Sequence, residues 1–320
     1  MPVAFQRPGW QPPSSVSAII SDIDGTLFPF GGCEELSAHD CTALCDAFDA
    51  GIHVCLATGR IPGPWLDKIT AQLEPRVLRG GVYANGALVV GDGDRVIRES
   101  LLPAAAITAV EEHTRGARVA CGGGRISVLA CTRVEGEPLG YLELAPDGST
   151  WVSTMIDGAG EPNRPVTDFA ALHDARVLKF VLFSAYDVSK LPAYVQGAVD
   201  TNAEPPWAPM GPTVAALREQ LKGTGATVLD CGPNQCEVLP ECVHKGDGVA
   251  QLLAHIGVEP TAALACGDAE NDVEMLRLVG TGVAMTNAKP AAMEACDCVH
   301  DSVAEAVERY ALGRGEGTGA

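Results

Sequence analysis

Basic side chains are scarce in this sequence, and long apolar runs are absent. Its 320 residues carry 22 Lys and Arg against 41 Asp and Glu, a formal charge of -19. A field of that sign repels phosphate backbones and anionic lipid, which argues against nucleic acid and membrane surfaces as partners. It leaves room for a small anionic substrate, because a local cation can outweigh the global sign. No apolar stretch approaches the roughly 20 residues that a bilayer-spanning helix needs. The opening, MPVAFQRPGWQPPSSVS, lacks the apolar block of a secretion signal. Together these absences predict a cytoplasmic protein. Paired zinc knuckles are missing too: Cys231, Cys236, Cys242 and His244 have spacings that fit no common zinc site. The 12 cysteines instead read as reduced core residues, such as Cys55 in HVCLATG and Cys266 in AALACGD. No internal repeat is present.

What is there is the composition of a globular protein, 47% hydrophobic and 20% charged, with enough length for one large domain or two ordinary ones. SAIISDI (residues 17–23) reads as a buried strand, and GIHVCLATGR from Gly51 contains the next. Between them, Leu44, Cys45 and Phe48 fall at helical spacing, with Ser37 as N-cap and Gly51 as stop. Strand, helix, strand is a βαβ unit whose parallel strands end on one edge. The far end of the chain repeats the pattern: HKGDGVAQLLAHIG as helix, TAALACGD as strand, NDVEMLRLVG as helix, GVAM as strand and NAKPAAMEAC as helix. Such alternation predicts a doubly wound, Rossmann-like parallel sheet. The middle mixes helix and strand candidates without that order and reads as an inserted α+β domain. The expected division is a core of residues 1–86 and 232–320 and an insert of residues 87–231.

Four stretches fall at the predicted strand ends or open a helix beside them: DIDGT (Asp22–Thr26), ATGR (Ala57–Arg60), HKG (His244–Gly246) and GDAEND (Gly267–Asp272). In an open α/β sheet, ligands bind at that edge. Two aspartates one residue apart repel unless a cation or an arranged proton relieves them. A carboxylate can attack phosphorus, a second can shuttle a proton, and several acidic oxygens suit a hard cation such as magnesium. Thr58 and Lys245 are candidates for holding phosphoryl oxygens.

In this order the motifs resemble those of the haloacid dehalogenase superfamily of phosphohydrolases, and within it the Cof-type group with a large α/β cap. NGA at Asn85–Ala87 resembles the segment that precedes the cap in that group. The resemblance implies Asp22 as nucleophile and Asp24 as general acid/base. It implies Thr58, Gly59, Lys245 and Asn271 as phosphate-binding residues. Magnesium would be held by Asp22, Asp268 and the backbone carbonyl of Asp24, with Asp272 supporting the metal shell or Lys245. The implied activity is magnesium-dependent hydrolysis of small phosphorylated metabolites, sugar phosphates first, through an aspartyl phosphate. A phosphosugar mutase using the same intermediate, or a non-catalytic ligand-binding protein on this fold, are the rivals. The chain departs from the pattern at Ala269 and Glu270 in the fourth motif. It departs again at Asp247, an added acid that would weaken phosphate binding or face solvent.

Taken singly, these residues have plainer readings. DIDGT could be a strand running into a turn, Thr58 and Asn271–Asp272 helix caps, and Lys245 a solvated lysine. Their joint order on alternating strand ends is what favours a site. Arg60 is expected to anchor its helix or pair with a carboxylate. Trp65, Trp151 and Trp207 are expected to pack or lie in loops, with Trp207 a candidate for a substrate entrance. Lys179, inside VLKFVLF, is expected to reach the surface of the insert.

Overall fold

The structure is a computed structural model that describes residues 5–28, 35–73, 77–120, 125–133, 139–144, 163–185, 209–232 and 234–314. Trp151, Trp207 and most of the Pro-rich loop around Trp207 lie outside the described residues. The chain forms two units, one of Met1–Arg60, Leu66–Glu99 and His244–Ala320, the other of Ile61–Trp65 and Ser100–Val243.

In the first unit β1 (Ala18–Ser21), β2 (His53–Ala57), β3 (Leu78–Tyr83), β4 (Leu88–Val90) and β5 (Val96–Glu99) join β12 (Ala263–Gly267), β13 (Thr281–Met285) and β14 (Cys298–His300). Among the described residues these eight strands form one sheet in the order β14-β13-β12-β1-β2-β3-β4-β5. The pairings from β14 through β3 are parallel. β3, β4 and β5 then run antiparallel to one another. The order reverses between β1 and β12, the point at which open α/β sheets commonly bind ligands.

Local chemistry sets the helices. Ala38–Asp49 starts where the Ser37 hydroxyl accepts the Asp40 N–H at 2.9 Å. Lys245–Ile256 is capped by a residue without a strong signal, His244, whose Nδ1 accepts the Asp247 N–H at 3.1 Å. It stops at Gly257, which takes the left-handed conformation at φ 74°. Val249, Leu252 and Leu253 from this helix are buried with Ile20, Cys55 and Val82 of the sheet. Burial of each such side chain is worth roughly 1.5–3 kcal/mol.

The second unit carries β6 (Arg125–Arg133), β7 (Gly140–Leu144), β8 (Asn163–Val166), β9 (Arg176–Ala185), β10 (Ala226–Gly232) and β11 (Gln235–Pro240). Its sheet runs β10-β11-β9-β6-β7-β8. One face, with Val128, Ala130, Leu142, Phe180, Leu182 and Val238, shares a core with residues of helices Ala104–Ala120 and Gly211–Gln220.

Both expected domain boundaries move. The first shifts from 86/87 to 99/100, because β4 and β5 hydrogen-bond onto β3 and so belong to the first sheet. The second shifts from 231/232 to 243/244, because β11 pairs with β9 as well as β10. Lys179 also differs from expectation: it is 1% exposed, and its Nζ meets Glu237 Oε1 at 2.6 Å. A strand side chain is fixed to one face of the sheet, and this face is covered. Trp65 is fully buried, with Nε1 donating to the Ile61 carbonyl at 2.8 Å. All described cysteines are free thiols. No helix among the described residues is long and apolar enough to cross a membrane.

Candidate active site

Parallel pairing of β12, β1 and β2 brings their C-terminal ends to one edge, and the helix starting at Lys245 opens beside them. Lys245 is the hub. Its Nζ donates to Asp22 Oδ1 at 2.7 Å and to Asp272 Oδ1 at 2.6 Å, and all three side chains are buried. The other oxygen of Asp272 accepts the backbone N–H groups of Asp268 at 2.9 Å and Ala269 at 3.0 Å. Asp272 therefore ties Lys245 to the loop after β12. That grip needs glycine at position 267, where a Cβ would lie 2.5 Å from the Asp272 Cγ.

Asp268 is fully buried. Thr26 Oγ1 donates to its Oδ1 at 3.3 Å, and its Oδ2 has no hydrogen-bond partner. Oxygens of Asp22, Asp268 and Asp272 lie within 4.8 Å of one another. One ammonium does not offset three carboxylates. Burial pushes the Asp22 carboxyl well above the ordinary range, against the pull of Lys245. Burial, helped by the Asp272 charge, pushes Asp268 up to about 6. For Lys245 burial alone would favour the neutral amine, but Asp22 and Asp272 outweigh it and hold the group protonated. An orphaned buried carboxylate oxygen among hard oxygen donors fits a divalent cation such as magnesium.

The carboxylate of Asp24 stands apart from that cluster. Arg60 grips it with two bonds, Nε to Oδ2 at 2.8 Å and a terminal nitrogen to Oδ1 at 2.5 Å. The expectation that Arg60 pairs with a carboxylate is met, and Asp24 is the carboxylate. Thr58 is 1% exposed; its N–H donates to the Val82 carbonyl at 2.8 Å, and its hydroxyl accepts the Arg60 N–H at 3.1 Å. Gly59 packs against the Asn85 amide. Asn271 donates from Nδ2 to Asn85 Oδ1 at 2.9 Å. The structure thus gathers Asp22, Lys245, Asp268 and Asp272 tightly, and ties Thr58, Gly59 and Asn271 to the segment Ala84–Gly86.

That segment carried only a weak signal in the sequence. Ala84, Asn85 and Gly86 all have positive φ, 49°, 53° and 97°, a run that only a glycine or asparagine adopts readily. Gly86 is required by contact as well, since a Cβ there would lie 2.3 Å from the His244 carbonyl oxygen. The loop after β13 was missed altogether. Asn287 Nδ2 donates to the Gly25 carbonyl at 2.9 Å, and the Lys289 N–H donates to the Asp268 carbonyl at 2.8 Å. TNAKP after a short parallel strand was the available clue. The departures from the motif pattern find partners: Glu270 pairs with Lys289 at 2.9 Å, and Asp247 pairs with Arg98 of β5.

A parallel sheet whose strand ends bring four aspartates and a lysine to one edge defines an α/β protein with a carboxylate-rich strand-end cluster. The chain belongs to the haloacid dehalogenase-like hydrolases, whose family model matches residues 19–120 and 212–309. It is 39% identical over 92% of its length to the chloroplastic endoribonuclease YBEY of Arabidopsis thaliana, covering 47% of that protein. It is 44% identical over 38% of its length to the HMP-PP phosphatase of Cronobacter sakazakii, covering 44% of that protein. The chain thus spans about half the length of the curated relatives it matches. Among solved structures, a sugar phosphatase of subclass IIB of the superfamily superposes with a TM-score of 0.68 at 21% identity, over 92% of this chain and 99% of the other. That likeness is one of fold.

Proposed function

We infer that the chain is a magnesium-dependent phosphatase of small phosphorylated metabolites, sugar phosphates foremost, acting in the cytoplasm through an aspartyl phosphate on Asp22. The observation that carries this reading is the buried Asp22–Lys245–Asp272 chain beside Asp268, whose Oδ2 has no hydrogen-bond partner. Phosphatases among the relatives support the reaction class.

Asp22 Oδ attacks phosphorus, the bond from phosphorus to the ester oxygen breaks, and a proton from Asp24 passes to that oxygen as the alcohol leaves. Water then attacks phosphorus and gives its proton to Asp24. The bond from phosphorus to the Asp22 oxygen breaks, inorganic phosphate departs and the carboxylate returns. An ammonium has three N–H donors; Asp22 and Asp272 take two from Lys245, and the third is assigned to a phosphoryl oxygen. Thr58 and Asn271 are assigned to the same group, with Gly59 giving close backbone approach. Asp22, Asp268 and the Asp24 carbonyl would hold magnesium, which would supply positive charge to the reacting phosphoryl group. Asp272 supports Lys245. The second unit, inserted between Glu99 and His244, is assigned the role of a cap that selects the substrate.

The name endoribonuclease belongs to a relative of which this chain matches under half, and a charge of -19 disfavours RNA. The test is phosphate release from a panel of sugar, nucleotide and other phosphate esters, with magnesium and with chelator. Release that requires magnesium supports the reading. Conversion of a hexose 1-phosphate to its 6-phosphate without release would replace it with a mutase, and ligand binding without turnover would replace it with a binding protein.

A further inference from the structure

Asp24 has an unusual combination of a rigid root and an exposed tip. The turn that carries it is fixed by Gly25 N–H donating to the Phe28 carbonyl at 2.8 Å and by Asn287 donating to the Gly25 carbonyl at 2.9 Å. The side chain is 46% exposed, whereas that of Asp22 is 8% exposed. Packing covers only about half of the Asp24 side chain, and the hydrogen bonds that hold its carboxylate among the described residues come from Arg60.

Arg60 is built for that task. Its N–H donates to Thr58 Oγ1 at 3.1 Å and its carbonyl accepts the Ala84 N–H at 2.8 Å, so its backbone is held on both sides. Two N–H groups then meet the two oxygens of one carboxylate, at 2.8 Å and 2.5 Å. A fork of this kind fixes the plane of a carboxylate as well as its place, which a point charge such as a lysine does not. It uses one lone pair on each oxygen and leaves the other for a proton or a substrate.

We propose that Arg60 is a positioning residue for Asp24, aiming the carboxylate at the leaving oxygen, rather than a ligand for the substrate's phosphoryl group. The inference rests on the phosphatase reading, and its consequences differ by ester. Protonating the leaving oxygen matters for an alkoxide and little for a nitrophenolate, which leaves without help. A phosphate ligand would matter equally for both.

The test compares wild type, Arg60→Gln and Arg60→Lys in single-turnover formation of the aspartyl phosphate from a hexose 6-phosphate and from p-nitrophenyl phosphate. General acid catalysis contributes about 10²–10⁴-fold, so Arg60→Gln is expected to slow transfer from the sugar ester by about 10–100-fold. Transfer from the nitrophenyl ester should change by less than about 3-fold, with KM for both nearly unchanged. Arg60→Lys should restore little, since it returns the charge without the fork. Equal losses on both esters with a raised KM would make Arg60 a phosphate ligand and overturn the proposal. A crystal structure of Arg60→Gln gives a readout independent of turnover: Asp24 should leave its present orientation or occupy several, and an unmoved carboxylate would also overturn it. Wild type inert on both esters would instead defeat the phosphatase reading on which the proposal rests.

Discussion

Lys245 and Lys179 are each 1% exposed, one in each unit, and their surroundings differ in a way that separates a site from a scaffold. Lys245 opens a helix at the edge where parallel strands end, and it faces Asp22 and Asp272 with Asp268 close by. Lys179 lies in the middle of β9 and meets Glu237 on the neighbouring β11. At the strand ends loops from distant parts of the chain converge, so acids accumulate beyond what one ammonium can offset. In mid-sheet each side chain is fixed by register to a few neighbours, and Lys179 meets Glu237 as a diagonal cross-strand contact. Excess negative charge favours a cation, and the Lys179–Glu237 contact carries no such excess of its own.

The comparison can be broken most forcefully at Asp22. Asp22→Asn should lower phosphoryl transfer by at least about 10³-fold while the melting temperature stays within a few degrees, and appreciable remaining turnover would remove Asp22 as nucleophile. The counterpart in the second unit is Lys179→Met, which leaves Glu237 buried without its ammonium and should cost about 3–5 kcal/mol in denaturant unfolding. Lys179→Met combined with Glu237→Leu should recover most of that loss; a double variant as unstable as the single one would show that the pair does more than balance charge.

Magnesium sharpens the contrast. Binding to the folded form alone stabilises by about 2.7 kcal/mol at a concentration 100 times the dissociation constant. The wild-type melting temperature should therefore rise with magnesium and fall back with chelator. In Asp268→Ala the rise should vanish, whereas Lys179→Met/Glu237→Leu should keep it. The smallest effect expected is that of Ser37→Ala, which removes the cap of Ala38–Asp49 for about 1 kcal/mol. It should leave KM and kcat per folded molecule unchanged, because that helix serves the scaffold of the first unit.

Much of the first unit was legible because its signals are local. Ser37 and its helix, the buried runs of β1, β2, β12 and β13, and the motif residues at their ends can be read from windows of about ten residues. The allocation of β4, β5, β10 and β11 could not be read that way. Short apolar runs have no address until they hydrogen-bond to a partner strand, and the partner of β11 includes β9, 56 positions away at the pair Val181 and Glu237. Lys179 was misplaced for a related reason: periodicity says which face of a strand a residue shares, and says nothing of what covers that face.

The alternating α/β order, the four motif stretches, their placement at strand ends and a negative charge that disfavours polyanionic partners are all legible in the chain. These follow from spacing and composition, which are properties of neighbouring residues. The folded arrangement alone sets Lys245 between Asp22 and Asp272 and gives Asp24 to Arg60. It likewise decided that Asp268 keeps an unpartnered oxygen and that Asp247 is drawn away to Arg98. Each of those choices depends on distance, burial and competing charge among groups as far apart in the chain as Asp22 and Lys245, and a carboxylate's partner is fixed only when the fold has brought the candidates within a few ångströms.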